Sequence, residues 1–165
     1  GFDPQRLQEL ADYWADVRLR YESFDKGLKV PVTDIYRYEI PGGQYTNLRP
    51  QVESLGLGDR FEEVKEMYKT VNDMLGDPVK VTPSSKVVGD LAIFMVQNDL
   101  TPENIVEKGE HLTFPDSVVS YFKGMMGQPA WGFPEDLQKV VLKGEEPITC
   151  RPGEMLPPVP QPHQA

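Results

Sequence analysis

Cysteine and histidine are nearly missing from this chain of 165 residues. One cysteine, Cys150, excludes an internal disulfide framework and any multi-cysteine zinc site. It has no neighbouring histidine to activate it, which argues against a nucleophile. The two histidines, His111 and His163, form no His-x-His or His-Glu-x-x-His pattern, and no Gly-x-Ser-x-Gly occurs. A self-contained metal or serine-triad enzyme is therefore a poor reading. No apolar run approaches the roughly 18 residues of a membrane span, and no signal-peptide pattern opens the sequence. Positive charge is also scarce, with 17 Lys+Arg against 26 Asp+Glu and a net charge of −9. Such a chain has no electrostatic footprint for nucleic acid. Lack of disulfides suits a reducing compartment, the cytoplasm or a mitochondrial matrix.

What is present is a globular composition, 39% hydrophobic and 26% charged. The chain starts at Gly1 without a methionine and soon enters a strong helix, which reads as a cut from something longer. Asp3-Pro4 is a helix start. Leu7, Leu10, Ala11, Trp14, Val17, Tyr21 and Phe24 then recur at steps of three and four, predicting one amphipathic helix over about residues 4–24. Lys26-Gly27 breaks it. Val32–Ile40 mixes β-branched and aromatic residues and reads as a short strand. Pro41-Gly42-Gly43 then reads as a loop or as a place of close backbone approach.

The spacing predicts a helix over 59–75, opened by a capping-box-like Asp59 with Glu62 and stopped by Gly76. Its charge run around Glu62 and Glu66 reads as a wet face. A helix after Thr82-Pro83 carries Val87, Val88, Leu91, Ala92, Ile93, Phe94, Met95 and Val96, apolar nearly all round and so buried on most sides. Thr101-Pro102, Phe114-Pro115 and Phe133-Pro134 open shorter helices, with Gly124 and Gly144 as stops for the last two. Beyond Cys150 the prolines read as a polyproline-type linker. The expectation is a mostly α assembly of six or seven helices, with at most one or two short strands.

Chemistry is best sought at Lys80-Val81-Thr82-Pro83-Ser84-Ser85-Lys86. Unpaired amides and the positive end of the macrodipole meet at a helix start, where the Thr82 and Ser85 hydroxyls and the Lys86 ammonium also fall. Four residues of spacing bring Thr82 and Lys86 to within about 40° around a helix axis. That describes an anion site. It equally describes an ordinary threonine cap. Elsewhere, His111 beside Glu110 reads as a loop histidine. Trp131 reads either as a partner-docking aromatic or as a turn residue covering the helix beneath.

Two stretches carry a resemblance. Glu39-Ile40-Pro41-Gly42-Gly43-Gln44-Tyr45-Thr46-Asn47-Leu48 and Val79-Lys80-Val81-Thr82-Pro83-Ser84-Ser85-Lys86-Val87-Val88-Gly89-Asp90 resemble the pyruvate carboxylases. Phe94-Met95-Val96-Gln97-Asn98, Phe114-Pro115, Gly132-Phe133-Pro134 and Arg151-Pro152-Gly153 extend it to about residue 156. The resemblance implies the later part of a carboxyltransferase domain: the last helix of a TIM-type α/β barrel over 1–25, a helical funnel extension over 26–150, and a Pro-rich linker over 151–165. It implies transfer of CO2 from carboxybiotin, held on a separate carrier domain, to pyruvate, giving oxaloacetate. Thr82 would shuttle the proton, and Gln44, Ser85 and Lys86 would help form the biotin pocket. The family's metal ligands, carboxylated lysine and pyruvate-binding arginine would lie upstream in the barrel, and the ATP-dependent carboxylase elsewhere. The implied partners are the barrel, the carrier domain and pyruvate, within a homotetramer. Transcarboxylases and oxaloacetate decarboxylases share related domains. A purely structural helical lid or linker is the competing reading.

Overall fold

Proline and glycine set most of the helix boundaries. The computed structural model describes residues 1–24 and 33–157. The chain divides into two compact units, Gly1–Val32 and Thr33–Ala165. In the first, α1 (Pro4–Arg20) starts as its sequence predicts, with the Asp3 carboxylate accepting from the Gln5 amide at 3.0 Å. Arg18 and Arg20 complement the dipole in its last turn, and a 3₁₀ turn follows at Glu22–Phe24. No residue of α1 is buried, and Leu7, Leu10 and Trp14 of its stripe are exposed.

Every regular element among the described residues of the second unit is a helix or helical turn, and no strand occurs among them. The expected strand is corrected. Asp34–Arg37 form a helical turn, α2, while Val32 lies outside the described residues. Tyr38 and Ile40 are buried on either side of exposed Glu39, which reproduces a strand's alternation without a strand partner. The loop expected from Pro41 is corrected too, because α3 spans Gly42–Ser54. Tyr45, Leu48 and Val52 bury one face of it at helical spacing. The glycine pair occupies the first turn, and Pro50 lies inside.

A 3₁₀ turn at Gly58–Arg60 leads into α4 (Phe61–Met74). The Asp59–Glu62 capping box does not form, because Glu62 binds the Lys65 ammonium at 2.8 Å instead. Val64, Tyr68 and Val71 form its buried stripe, and Gly76, at φ +79°, ends the segment as expected. The central element is α5 (Ser84–Gln97), where every residue from Val87 to Val96 is buried. It packs most extensively on α4, and α3 and α7 (Asp116–Phe122) flank it. α6 (Ile105–Gly109) and α8 (Glu135–Leu142) close the far side against each other, with α8 also meeting α7. α6 starts later than Thr101-Pro102 suggests, since Asn104 Oδ1 first accepts the Thr101 amide at 2.8 Å in a turn. Gly124 and Gly144 both take positive φ after α7 and α8. Pro152–Met155 form a 3₁₀ turn, not polyproline, and residues 158–165 of the expected linker lie outside the described residues.

Candidate functional site

α5 begins at Ser84, one residue later than proline at its first position would place it. The N-cap is Pro83, joined to Thr82 by a cis peptide, so Thr82 is not the cap its sequence context suggests. Ser84 does the local stapling. Its hydroxyl accepts the Val81 amide at 3.1 Å and lies 2.5 Å from the Val79 carbonyl and 2.8 Å from that of Val81. The amides of Ser85 and Lys86 donate to the Val81 and Pro83 carbonyls, both at 3.0 Å. The mouth of α5 therefore presents fewer free amides than a bare helix start. Thr82 is left exposed, and among the described residues its hydroxyl has no hydrogen-bond partner.

The remaining predicted residues gather on α5 and α3. Gln44 is buried with its amide laid over Gly89; a Cβ there would meet Gln44 Nε2 at 2.5 Å. Glycine at 89 is therefore a close-approach residue for Gln44. Ser85 is buried one turn earlier, its carbonyl accepting from the Tyr68 hydroxyl at 3.3 Å. That phenol is pushed above its ordinary value by burial alone. Lys86 is exposed and pairs with Asp90. It lines a cavity of about 300 Å³ with Gln51 and Ser117. Pro83 and Ser84 line a different one, of about 400 Å³, with Tyr121 and Trp131. The helical spacing argument for Thr82 and Lys86 does not apply, because Thr82 precedes the helix.

The segment leading to Thr82 is anchored at Lys80, whose ammonium lies 3.1 Å from both Asn72 Oδ1 and Asp77 Oδ1 and 3.4 Å from Glu39 Oε2. Glu39 immediately precedes the Ile40-Pro41 entry to α3, so this one ammonium links the approaches to Gln44 and Thr82. A hydrogen bond from Lys69, then its charge, and a further bond from Lys80 hold the Glu39 carboxyl below its ordinary value. Reasoning from sequence missed Ser84, Asp90 and this network. A lone carboxylate in an apolar helix, four residues after a lysine, was the available signal for Asp90. Among the described residues no group of three or more His, Cys, Asp or Glu side chains could hold a metal ion, so the described residues do not fit a resident metal. No helix among them is long and apolar enough to cross a membrane.

A helical assembly built around a buried α5, with an exposed threonine before it and a tethered lysine in its first turn, matches the conserved carboxylase domain over residues 35–163. The chain is 63% identical to a pyruvate carboxylase of Bacillus subtilis over 155 residues and 57% identical to that of Staphylococcus aureus over 157. These alignments cover 94% and 95% of this chain and 14% of each relative. The carboxyl transferase domain of Rhizobium etli pyruvate carboxylase superposes with a TM-score of 0.90 at 49% identity, covering 97% of this chain and 27% of that one. The same domain solved with oxamate and biotin gives 0.89 at 50% identity, covering 96% and 27%. The chain belongs to the pyruvate carboxylase family, and it spans about one seventh of the length of the curated relatives it matches.

Proposed function

We propose that this chain is the helical part of a carboxyltransferase site that makes oxaloacetate from pyruvate, with Thr82 passing the proton. The Rhizobium etli domain has been solved with pyruvate and biocytin, and its likeness to this chain supports placing the same ligands here. Carboxybiotin, when bound, would supply the carboxyl group, and the ureido nitrogen left behind would take up the proton that the pyruvate methyl group gives. A threonine hydroxyl has little basicity at neutral pH, so it relays a proton only by donating to one partner while accepting from another. The observation that carries the reading is that the Thr82 hydroxyl is exposed and, among the described residues, without a hydrogen-bond partner, while Ser84 staples the turn. A capping threonine would be engaged. Lys86 fits as an ammonium facing the ureido oxygen, where it would stabilise developing negative charge. Gln44 and Ser85 shape the pocket wall.

Residues 1–25 are read as the last barrel helix, 26–150 as the funnel extension and 151–165 as a linker. The barrel, the biotin carrier domain and pyruvate are the partners, within a homotetramer of the cytoplasm or, in a eukaryote, the mitochondrial matrix. Metal and ATP belong to other parts of that enzyme. Thr82→Ala in the complete enzyme tests the assignment. Carboxyl transfer from oxaloacetate to free biotin is expected to fall at least about 100-fold, the usual size of a lost acid–base group, with melting unchanged and activity largely kept in Thr82→Ser. Transfer that persists in Thr82→Ala overturns it.

A further inference from the structure

Asp90 interrupts the apolar run of α5 and is only 7% exposed. Three helices bring it donors. Gln51 Nε2 from α3 reaches Oδ1 at 3.0 Å, Ser117 Oγ from α7 reaches Oδ2 at 2.5 Å, and Lys86 Nζ bonds Oδ2 from one turn back on α5. A carboxylate this buried is costly unless its lone pairs are met, and here both oxygens are. The lysine differs from the other two donors. Its side chain is 59% exposed, yet its ammonium is tethered to an acceptor that neighbouring helices hold still.

Helix stability does not explain this pair. A lysine preceding an acid by four residues is the weaker order for an ion pair on a helix. A cation in the first turn also opposes the macrodipole. We propose that Asp90 is a positioning residue, fixing the Lys86 ammonium at one place on α5 and so setting where it meets the ureido oxygen of biotin. This rests on the reading of Lys86 given above. A free lysine loses rotamer freedom when it meets a ligand, whereas a tethered one has already lost it. An ammonium has three hydrogens, so one bond to Oδ2 leaves two to face outward. Gln51 and Ser117 keep the anchor from following the lysine.

The test is a double-mutant cycle in the complete enzyme, following carboxyl transfer from oxaloacetate to free biotin. Asp90→Asn is expected to lower kcat/KM for biotin about tenfold, the scale of one charge-assisted bond. KM for oxaloacetate is expected to stay put and the enzyme to remain folded, since an asparagine oxygen still accepts from Gln51 while its NH2 group donates to the Ser117 hydroxyl. In a Lys86→Met background the same substitution is expected to change nothing further. An equal tenfold fall in that background overturns the proposal, as does unaltered kinetics in Asp90→Asn when Lys86→Met is impaired. Full transfer by Lys86→Met itself sinks the underlying reading of Lys86 instead, and the proposal with it. Should Asp90→Asn fail to fold, Asp90→Glu keeps the charge but moves it by one methylene. It is expected to raise KM for biotin only when Lys86 is present, and an effect independent of Lys86 overturns the proposal equally.

Discussion

Two ion pairs in this molecule are built inside out from one another. Around Lys65 the cation is buried, 2% exposed, and its partners Asp34 and Glu62 reach in from the surface at 2.5 and 2.8 Å. Around Asp90 the anion is buried and the lysine is exposed. Which end is wet decides what the pair can do. The Lys65 ammonium also lies 5.1 Å from the centre of the Tyr38 ring and 5.5 Å from that of Phe61, so it has no face left for a ligand. Burial works against its charge, but the bonds to Asp34 and Glu62 outweigh that and raise its pKa above the ordinary lysine value. Lys65 ties α2 to α4. The Asp90 pair keeps its ammonium in solvent and its anchor in the core, the arrangement expected of a group that must meet something arriving from outside.

The largest effect on stability should come from breaking the first pair. Lys65→Ala removes a fully buried stem as well as the charge and is expected to cost about 3 kcal/mol, as large-to-small core changes do. Lys65→Met should recover more than half of that, because the stem's volume returns and the two carboxylates remain in water. Urea unfolding of the three proteins checks this. Equal losses in Ala and Met would make charge, and not packing, the larger contribution.

A smaller loss is expected at the second pair. Ser117→Ala removes one of three donors to Asp90, at a cost of about 1.5 kcal/mol for a hydrogen bond to a charged group. Gln51 and Lys86 remain to meet the carboxylate. A loss as large as that of Lys65→Ala would show that the anchor has no reserve, and the contrast between the two pairs would disappear.

Neither pair was read correctly from sequence, although the helices that carry them were. The stripes of α4 and α5 are dense enough to declare themselves, and both helices lie close to their predicted spans. Lys65 was counted with a wet charge run because it stands beside the stripe, at the three- and seven-residue spacing of Tyr68 and Asn72. That edge meets Asp34 of α2, in a stretch whose β-branched and aromatic residues predict a strand. α3 was hidden for a related reason. Two glycines and Pro50 are breakers locally, but Tyr45, Leu48 and Val52 bury enough apolar surface against the unit to override them. At the site, residue types at the mouth of α5 drew attention to Thr82, Ser85 and Lys86. Sequence did not show which hydroxyl staples the turn, because that depends on where the first helical turn closes. Ser84 takes that part, which leaves the Thr82 hydroxyl without a partner among the described residues.

A third cluster sets the lower end of the scale, because here the carboxylate is wet. Glu39 is half-exposed and bonds Lys69 at 3.2 Å and Lys80 at 3.4 Å. Exposed pairs of this kind contribute little to stability. Their mark is in the pH dependence. The bond from Lys69, then its charge, and a further bond from Lys80 depress the folded carboxyl below its ordinary value of 4.5. A depressed carboxyl stabilises the fold above its unfolded pKa, and that contribution is lost as pH falls through the folded value. Glu39→Gln should therefore melt slightly below the wild type at pH 7, and the gap should stay constant down to about pH 4.5 and close below it. Asp77, held below its ordinary value by Asn72 first and then by Lys80, titrates over a neighbouring acid range and is present in both proteins. Melting curves of the two proteins from pH 7 to pH 3 measure that gap directly. A gap that persists unchanged at the acid end would mean that Glu39 acts through packing at the entry to α3 and not through its charge.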